Sequence, residues 1–210
     1  MKKKIIVIGK KSFIGSNLFI FLKKKNFFIK KLNFNEFVSS NAASLKKYDY
    51  IINCSVHRNY IEKKYNKKYD FDYIVAKKIL KLNCNQIFLS SRKVYKPSKN
   101  IKENTKLNPS CSYSKNKIMT EKKLIKILGK RILILRISNL IGLNLNEKRS
   151  RKVHNTFINI FLKNVKNNHI YDNKKIYKDF LSIEKFSLIV EKLIRKDAYG
   201  IYNVSMGKKI

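Results

Sequence analysis

Residues 4–15 read Lys4-Ile5-Ile6-Val7-Ile8-Gly9-Lys10-Lys11-Ser12-Phe13-Ile14-Gly15, and this stretch decides the fold. Its opening run is apolar and β-branched, which is typical of a strand buried on both faces. Gly9 permits a tight turn directly after the strand, and Gly15 permits close packing of a following helix. Residues 16–25 have the apolar spacing of that helix. The stretch therefore predicts a strand, a glycine turn and a helix whose N-terminus can bind a pyrophosphate.

The rest of the chain repeats this alternation of apolar runs and helical patterns. Further strands are predicted at 27–32, 50–54, 86–90 and 132–137, and further helices near 70–83 and 112–128. Alternating strands and helices predict a parallel sheet with right-handed crossovers. After Gly142 the pattern predicts a helix near 153–165, a helix near 184–195 and a final strand at 200–204.

A second pattern, Y-x-x-x-K, places Tyr113 and Lys117 one turn apart on a predicted helix. A lysine ammonium close to a phenol stabilises the phenolate, so the pair is suited to general acid/base chemistry. Ser91 ends the run before it, so its hydroxyl is expected at the carboxyl end of a strand, where open α/β sheets bind ligands. Because the chain is rich in Tyr and Lys, this spacing acquires its meaning only from the surrounding segments.

Seven segments, in order along the chain, resemble motifs of the extended short-chain dehydrogenase/reductases of the NAD(P)-dependent epimerase/dehydratase type. They are residues 9–18, 49–55, 90–95, 109–117, 135–142, 178–184 and 200–204. The resemblance implies an α/β fold, with a Rossmann-type doubly wound parallel sheet and a small, reduced carboxy-terminal substrate lobe. Residues 1–142 would form the NAD(P)-binding domain, and residues 143–210 the lobe, interleaved with the last elements of the sheet. Family members usually continue further past the last segment.

The resemblance also implies roles for the residues at the reacting end of the site. Tyr113 would donate or accept the proton at a sugar hydroxyl or keto oxygen, Ser91 would hydrogen-bond that oxygen, and Lys117 would bind the nicotinamide ribose and assist Tyr113. Further substrate contacts are predicted for His57, Arg92, Lys93 and Asn139.

The cofactor residues implied by the resemblance extend along the carboxyl edge of the sheet. They are Gly9, Ser12, Phe13, Ile14 and Gly15 at the pyrophosphate, Asn33 at the adenosine ribose, Asn53 and Ser55 near the other ribose or its phosphate, and Lys117 and Asn139 near the nicotinamide. Ser12 replaces the middle glycine of the family's loop. Asn33 replaces an acidic residue that selects NAD, and Lys30 and Lys31 precede it, so NADP is favoured over NAD.

The two residues after Ser91 reduce the number of reactions that the resemblance allows. The dehydratase branch of the family has an Asp-Glu pair where this chain has Arg92 and Lys93. A cationic pair cannot replace two carboxyl groups, so reduction of a 4-keto-sugar or 4-epimerisation of a nucleotide sugar remains. The short lobe and the NADP preference favour the reductase. The alternative is a catalytically silent NAD(P)-binding protein that acts as a sensor or an assembly partner.

Composition limits the partners. The 210 residues carry a formal charge of +36, but the lysines are scattered, and Asn, Ile, Phe and Tyr are enriched with them. This pattern indicates compositional drift, so no specific nucleic-acid binding is expected. Cys54, Cys84 and Cys111 show no paired spacing, which together with the lack of a leader pattern predicts a cytoplasmic protein.

Three further expectations concern metals, membranes and oligomers. His57, His154 and His169 lie far apart and predict no metal site. No apolar run reaches the length that spans a bilayer. Family members often pair through the helices that correspond to 70–83 and 112–128, so a homodimer is expected.

Overall fold

One sheet of six parallel strands organises the computed structural model, which describes residues 2–143, 166–167 and 178–207. The strands are β1 (Lys4–Ile8), β2 (Phe28–Leu32), β3 (Tyr50–Asn53), β4 (Asn85–Ser91), β5 (Ile132–Ile137), β6 (Asn139–Ile141), β7 (Phe180–Ser182) and β8 (Gly200–Val204). The six-stranded sheet has the order β2-β1-β3-β4-β5-β8, and β6 pairs with β7 in a separate parallel pair. The strand order reverses between β1 and β3, as in a doubly wound fold.

Helices connect the strands and cover both faces of the sheet. They are α1 (Phe13–Lys24), α2 (Phe34–Ser39), α3 (Ala42–Leu45), α4 (Arg58–Glu62), α5 (Phe71–Ile79), α6 (Ser112–Leu128) and α7 (Ile183–Arg195). The predicted strands and long helices are confirmed within a few residues, except that α5 ends at Ile79 rather than near 83. The short elements α2, α3, α4, β6 and β7 were not predicted, because each spans only three to six residues, which is too few to show a helical or strand periodicity.

Two apolar layers enclose the sheet. On one face, Leu18 and Leu22 of α1 pack with Phe186 and Val190 of α7 against alternate strand residues such as Val7. On the other face, α2, α3, α5 and α6 pack against the remaining strand residues; the buried side chains are Phe37, Leu45, Val75, Ile79, Leu124 and Leu128. Burial on both faces explains why the inner strands β1, β3 and β5 are almost continuous apolar runs, whereas the edge strand β2 contains Lys30 and Lys31.

A buried ion pair joins α6 to the two central strands. Arg136 of β5 donates to Glu121 of α6 at 2.6 Å, and both side chains are only 3% exposed. Ser90 of β4 donates to the same carboxylate, and Arg136 also donates to the Tyr95 hydroxyl. Burial alone would lower the pKa of Arg136, but the hydrogen bonds and charge of Glu121 raise it. The pair thus fixes the position of α6 along β4 and β5.

A second buried polar network anchors the outer side of α6. Thr120 donates to Asp70 at 2.7 Å and shares a hydrogen bond of 2.7 Å with the Tyr60 hydroxyl. Asn116, one turn earlier on the helix, donates to the backbone oxygens of Tyr60 and Lys63. These contacts hold the segment of α4 against α6, so the helix is tied to the fold on two sides.

Several predictions made from the sequence fall outside the described residues. These are the helix near 153–165, His154 and His169. The division into a domain at 1–142 and a lobe at 143–210 stays a prediction for the same reason, although β8 lies inside the main sheet beside β5. Within the described residues, no helix is long and apolar enough to cross a membrane.

Replacing Glu121 with Gln should lower the free energy of unfolding by about 3–5 kcal/mol, because the buried Arg136 charge would lose its counterion. The matched control is Glu62→Gln, which breaks the exposed pair of Glu62 with Arg58, whose side chains are 50% and 78% exposed. This control should change stability by less than about 0.5 kcal/mol. Urea denaturation followed by circular dichroism measures both, and equal effects of the two substitutions would contradict the assigned role of the ion pair.

Candidate active site

The glycine turn after β1 has the geometry of a phosphate cradle. Gly9 has φ of +116°, which a residue with a side chain rarely adopts. A Cβ at Gly15 would lie 2.5 Å from Ser12 Oγ and 2.7 Å from the Gly9 oxygen. Both glycines are therefore required by the turn itself, and the backbone stays open at the N-terminus of α1. The chain thus fits the pyrophosphate of a dinucleotide here.

Ser12, which replaces a glycine of the family's loop, caps α1. Its Oγ accepts a hydrogen bond from the Gly15 amide at 2.9 Å, so the side chain folds into the turn. Phe13 and Ile14 begin the helix, and the first N–H groups of a helix have no partner within it. The serine stabilises the start of the helix. Because its side chain folds into the turn, it does not occupy the position where an anion would meet the first N–H groups of the helix.

Asn53 and Ser55 lie beside this turn, at the end of β3. The Asn53 side chain accepts from the Ser55 amide at 3.0 Å and donates to the Ser55 oxygen at 3.1 Å. A Cβ at Gly9 would lie 3.1 Å from Ser55 Oγ. The structure therefore brings both predicted residues to the glycine turn, where they shape the loop after β3.

Asn33 lies at the end of β2, at the position predicted for the adenosine ribose. Its side chain accepts from the Glu36 amide at 2.8 Å, and Glu36 accepts from the Asn33 amide at 2.9 Å, so the pair forms a capping box for α2. Glu36 also binds Lys10 of the glycine turn at 2.6 Å. Sequence reasoning did not select Glu36 or Lys10, although Asn-x-x-Glu is the signature of such a box.

Tyr113 and Lys117 share one face of α6, as their spacing predicts. The Lys117 ammonium lies 5.5 Å from the centre of the Tyr113 ring and donates to the Leu89 oxygen of β4 at 2.7 Å. Lys117 is only 6% exposed, and its ammonium also lies 4.5 Å from the centre of the Phe88 ring. The helix and the strand therefore hold this cation in one place.

Glu121 continues the stripe of Tyr113 and Lys117 by one more turn. Sequence reasoning did not select it, although the spacing of four residues from Lys117 was visible. Its carboxylate accepts from Ser90, directly before Ser91. The residue that positions α6 thus also positions the end of the strand that carries the predicted serine.

Ser91 ends β4 on the same side as the start of α6. Its hydroxyl accepts from the Lys93 amide at 3.2 Å and caps a short 3-10 turn over Arg92–Val94. Partial burial opposes ionisation of the Cys111 thiol, but hydrogen bonds with Ser114 and the charge of Lys93 lower its pKa. The turn over Arg92–Val94 packs against α6, the helix that carries Tyr113.

Arg92 and Lys93 belong to a group of cations at this edge. Burial and the positive charges of Arg92 and Lys93 lower the pKa of Lys178, which precedes β7. Sequence reasoning placed Lys178 in a family segment but assigned it no role. Only the pairing of β6 with β7 shows that residue 178 returns to the site.

His57 precedes the short helix α4, in the loop after β3. It caps α4 by accepting from the Asn59 amide at 3.1 Å, and its ring stacks on Tyr69 at 4.6 Å. It also meets the edge of Phe71, which stacks on Phe34 next to Asn33. The His57 ring therefore packs among aromatic side chains near Asn33, while the helix that it caps packs against α6 through Tyr60 and Asn116; a substrate contact of His57 stays a prediction.

Asn139 and Asp179 fasten β7 to the sheet. The Asn139 side chain donates to the Asp179 oxygen at 2.8 Å, while the Asp179 carboxylate accepts from the amides of Met206 and Gly207 at 3.1 Å and 2.8 Å. Asn139 therefore holds the segment between Lys178 and β7 in place. Its contact with a nicotinamide stays a prediction.

Asp72, which sequence reasoning did not select, is a buried acid beneath the site. The Gln86 side chain donates to its carboxylate at 3.3 Å. Burial raises the pKa of Asp72 to about 7; the Lys117 charge opposes this shift, Asp70 adds to it, and hydrogen bonds with Asn53 and Gln86 reduce it. Asp72 lies on α5 and reaches these partners only through the packing of that helix on the sheet.

Comparison with known proteins gives a family match over nearly the whole chain. The family model described as the NAD dependent epimerase/dehydratase family matches residues 5–205. The comparison with curated proteins gives no significant match.

Solved structures with the same architecture include several nucleotide-sugar enzymes. The UDP-N-acetylglucosamine 4-epimerase from Methanobrevibacter ruminantium M1, in complex with UDP-N-acetylmuramic acid, has a TM-score of 0.77 and 20% identity, over 100% of this chain and 79% of that chain. A dTDP-4-dehydrorhamnose reductase from Clostridium acetobutylicum ATCC 824 has a TM-score of 0.75 and 18% identity, over 96% of this chain and 74% of that chain. The dTDP-4-dehydrorhamnose reductase from Bacillus anthracis str. Ames, in complex with NADP, has a TM-score of 0.70 and 18% identity, over 98% of this chain and 75% of that chain. These likenesses show the fold.

Replacing Asp72 with Asn should make stability less dependent on pH. As pH rises from about 4 to 7, Asp72 ionises in the unfolded chain but keeps its proton in the fold, because its folded pKa is raised to about 7. The unfolded chain then binds fewer protons, so the free energy of unfolding of the wild type falls over this window. At pH 8 the variant should be more stable than the wild type by roughly 2–4 kcal/mol.

Urea denaturation of both proteins at pH 4.5 and pH 8 measures this difference. The advantage of the variant should largely vanish at pH 4.5, where Asp72 is neutral in the fold. A variant that is less stable than the wild type at pH 8 would contradict a raised pKa of Asp72 in the fold.

Proposed function

The chain belongs to the NAD-dependent epimerase/dehydratase family, and we propose that it uses NAD(P) to reduce the 4-keto group of a nucleotide-activated sugar. The observation that carries the proposal is the placement of Tyr113 and Lys117 on α6, with Lys117 bound to β4 two residues before Ser91. This arrangement is suited to donate one proton to the carbonyl oxygen of a substrate, which is the step that carbonyl reduction requires of the protein.

In the proposed reaction Tyr113 gives its phenolic proton to the carbonyl oxygen. The bound nicotinamide supplies the hydride that reduces the carbonyl carbon. Ser91 donates a hydrogen bond to the same oxygen and orients it, because its hydroxyl lies at the open edge of the sheet. The buried Lys117 ammonium stabilises the phenolate that Tyr113 becomes until solvent returns the proton. Its bond to the Leu89 oxygen keeps that charge in place.

The residues after Ser91 support a reductase over a dehydratase. Elimination of water needs an acid and a base close to the sugar, and Arg92 and Lys93 occupy the positions of that pair. A 4-epimerase needs the same Ser91, Tyr113 and Lys117 and is the second candidate, since one of the similar structures is a 4-epimerase. The two are separated by cofactor use, because a reductase consumes one equivalent of reduced cofactor for each sugar and an epimerase consumes none.

We further propose NADP as the preferred cofactor. Asn33 presents an amide at the predicted ribose position, and the carboxylate of Glu36 is paired with Lys10. Lys30 and Lys31 of β2 precede Asn33, and these nearby cations favour a 2′-phosphate. The free thiols of Cys54, Cys84 and Cys111 support a cytoplasmic setting for such an enzyme.

A homodimer through α5 and α6 is the proposed assembly. Met119 and Ile125 of α6 are 42% and 44% exposed, which supports an apolar contact on that helix. Lysines such as Lys122 share the exposed side, so any pairing must place these charges at the rim.

Titration with NADPH and NADH, followed by nicotinamide emission, tests the cofactor proposal; the chain has no tryptophan to interfere. NADPH should bind roughly tenfold more tightly, which is the order of one charge-assisted contact. Asn33→Asp should reverse the preference while keeping the helix cap, because aspartate caps as well as asparagine. The matched control is Asn41→Asp, which makes the same change at the cap of α3. Absence of saturable binding of either nucleotide would reject the cofactor site.

Tyr113→Phe tests the proton transfer. Turnover of a nucleotide-linked 4-keto-sugar, followed by loss of nicotinamide absorbance, should fall at least about 100-fold, because a general acid contributes that much. Cofactor affinity should stay within about twofold, since the substitution removes one hydroxyl. The control is Tyr199→Phe, at a tyrosine that is 54% exposed on the surface. Turnover by Tyr113→Phe at the wild-type rate would reject the mechanism, and cofactor binding without turnover in the wild type would favour a silent binding protein.

A further inference from the structure

Two positively charged residues directly follow the serine assigned to the reacting oxygen. Arg92 and Lys93 begin the 3-10 turn at the carboxyl end of β4, and the Lys93 amide donates to Ser91 Oγ at 3.2 Å. Because consecutive Cα atoms are about 3.8 Å apart, the Cα atoms of both residues lie within about 8 Å of the Ser91 Cα atom.

Lys178 completes this group from a distant part of the chain. It precedes β7, which pairs with β6, and β6 follows β5, the neighbour of β4. Partial burial together with the charges of Arg92 and Lys93 lowers the pKa of Lys178. Residues 92, 93 and 178 are called the cationic cluster below. Their mutual repulsion means that an anion between them would be stabilised.

Within the described residues, no ion pair includes Arg92 or Lys93. The Arg92 Nε atom is buried and has no hydrogen-bond partner there. Asp179 is the acid next to Lys178 in the chain. Its two carboxylate oxygens accept hydrogen bonds from the amides of Met206 and Gly207. A buried donor without a partner is unfavourable, so Arg92 is suited to meet an anionic ligand.

We propose that the cationic cluster binds a carboxylate carried by the sugar ring, so that the substrate is a nucleotide-activated acidic sugar of the uronic-acid class. This inference rests on the proposed function, which supplies the nucleotide sugar. A guanidinium pairs with a carboxylate through two parallel hydrogen bonds, and an ammonium adds a point charge. Ser91 places the cluster next to the reacting oxygen, whereas the diphosphate lies across the sugar ring from that oxygen.

Calorimetric titration of the cofactor-loaded chain tests this proposal without requiring turnover. The probes are glucuronate and glucose, each linked to uridine diphosphate and to deoxythymidine diphosphate, so that the carboxylate is the only difference within a pair. The wild type should bind the glucuronate form at least tenfold more tightly, which is the order expected of one charge-assisted contact. In the double variant Arg92→Gln, Lys93→Gln this ratio should fall to about one.

Lys96→Gln, Lys99→Gln is the matched control, because it removes two positive charges from the exposed loop that follows β4. The control should keep the ratio of the wild type, which excludes a general effect of net charge. An equal loss of affinity for both sugars in the double variant would leave the ratio unchanged and assign the cluster to the diphosphate, which overturns the inference. A wild-type ratio near one also overturns it. Cofactor binding without binding of any nucleotide sugar would instead overturn the proposed function.

Discussion

The buried ion pair between Glu121 and Arg136 is the constraint on which the site depends. A charged pair with side chains 3% exposed is stable only when its remaining hydrogen bonds are satisfied, and here Ser90 and Tyr95 supply them. Because these partners come from β4, α6 and β5, the pair permits one register of the helix on the sheet. Lys117 and Tyr113 lie one and two turns away from Glu121 on that helix, so their positions follow from the same register.

The two ends of the site are built by different means. At the cofactor end, much of the geometry is local, since Gly9, Ser12 and Gly15 contact one another in one turn, against which the loop with Cys54 and Ser55 packs. At the reacting end, the groups come from β4, α6 and the segment before β7, and buried polar contacts across long separations hold them. The cofactor end therefore depends mainly on a few neighbouring residues. The reacting end depends on buried contacts between segments that are far apart in the chain.

The large positive charge has two parts with different meanings. Most lysines are exposed and scattered, and the formal charge of +36 reflects them. Lys117, Arg92 and Lys178 are different, because each is held at the carboxyl edge of the sheet by strand or turn geometry. The charge that matters for chemistry is therefore set by position, and composition alone could not distinguish these residues from the rest.

The sequence by itself determined the order of strands and helices, the glycine turn and the Tyr113–Lys117 spacing. Each of these depends on periodicity or on the backbone freedom of single residues, which are local properties. The helix caps at Ser12 and Asn33 are local in the same way, because each is made with a residue three positions later. Only the tertiary structure showed that His57 stacks on Tyr69 and that Glu121, Asp72 and Lys178 lie close to predicted site residues. These roles arise from contacts between residues far apart in the chain, as when Asp72 meets Gln86 or residue 178 returns to Arg92. Such pairings depend on how helices pack across the sheet, and no local pattern encodes them.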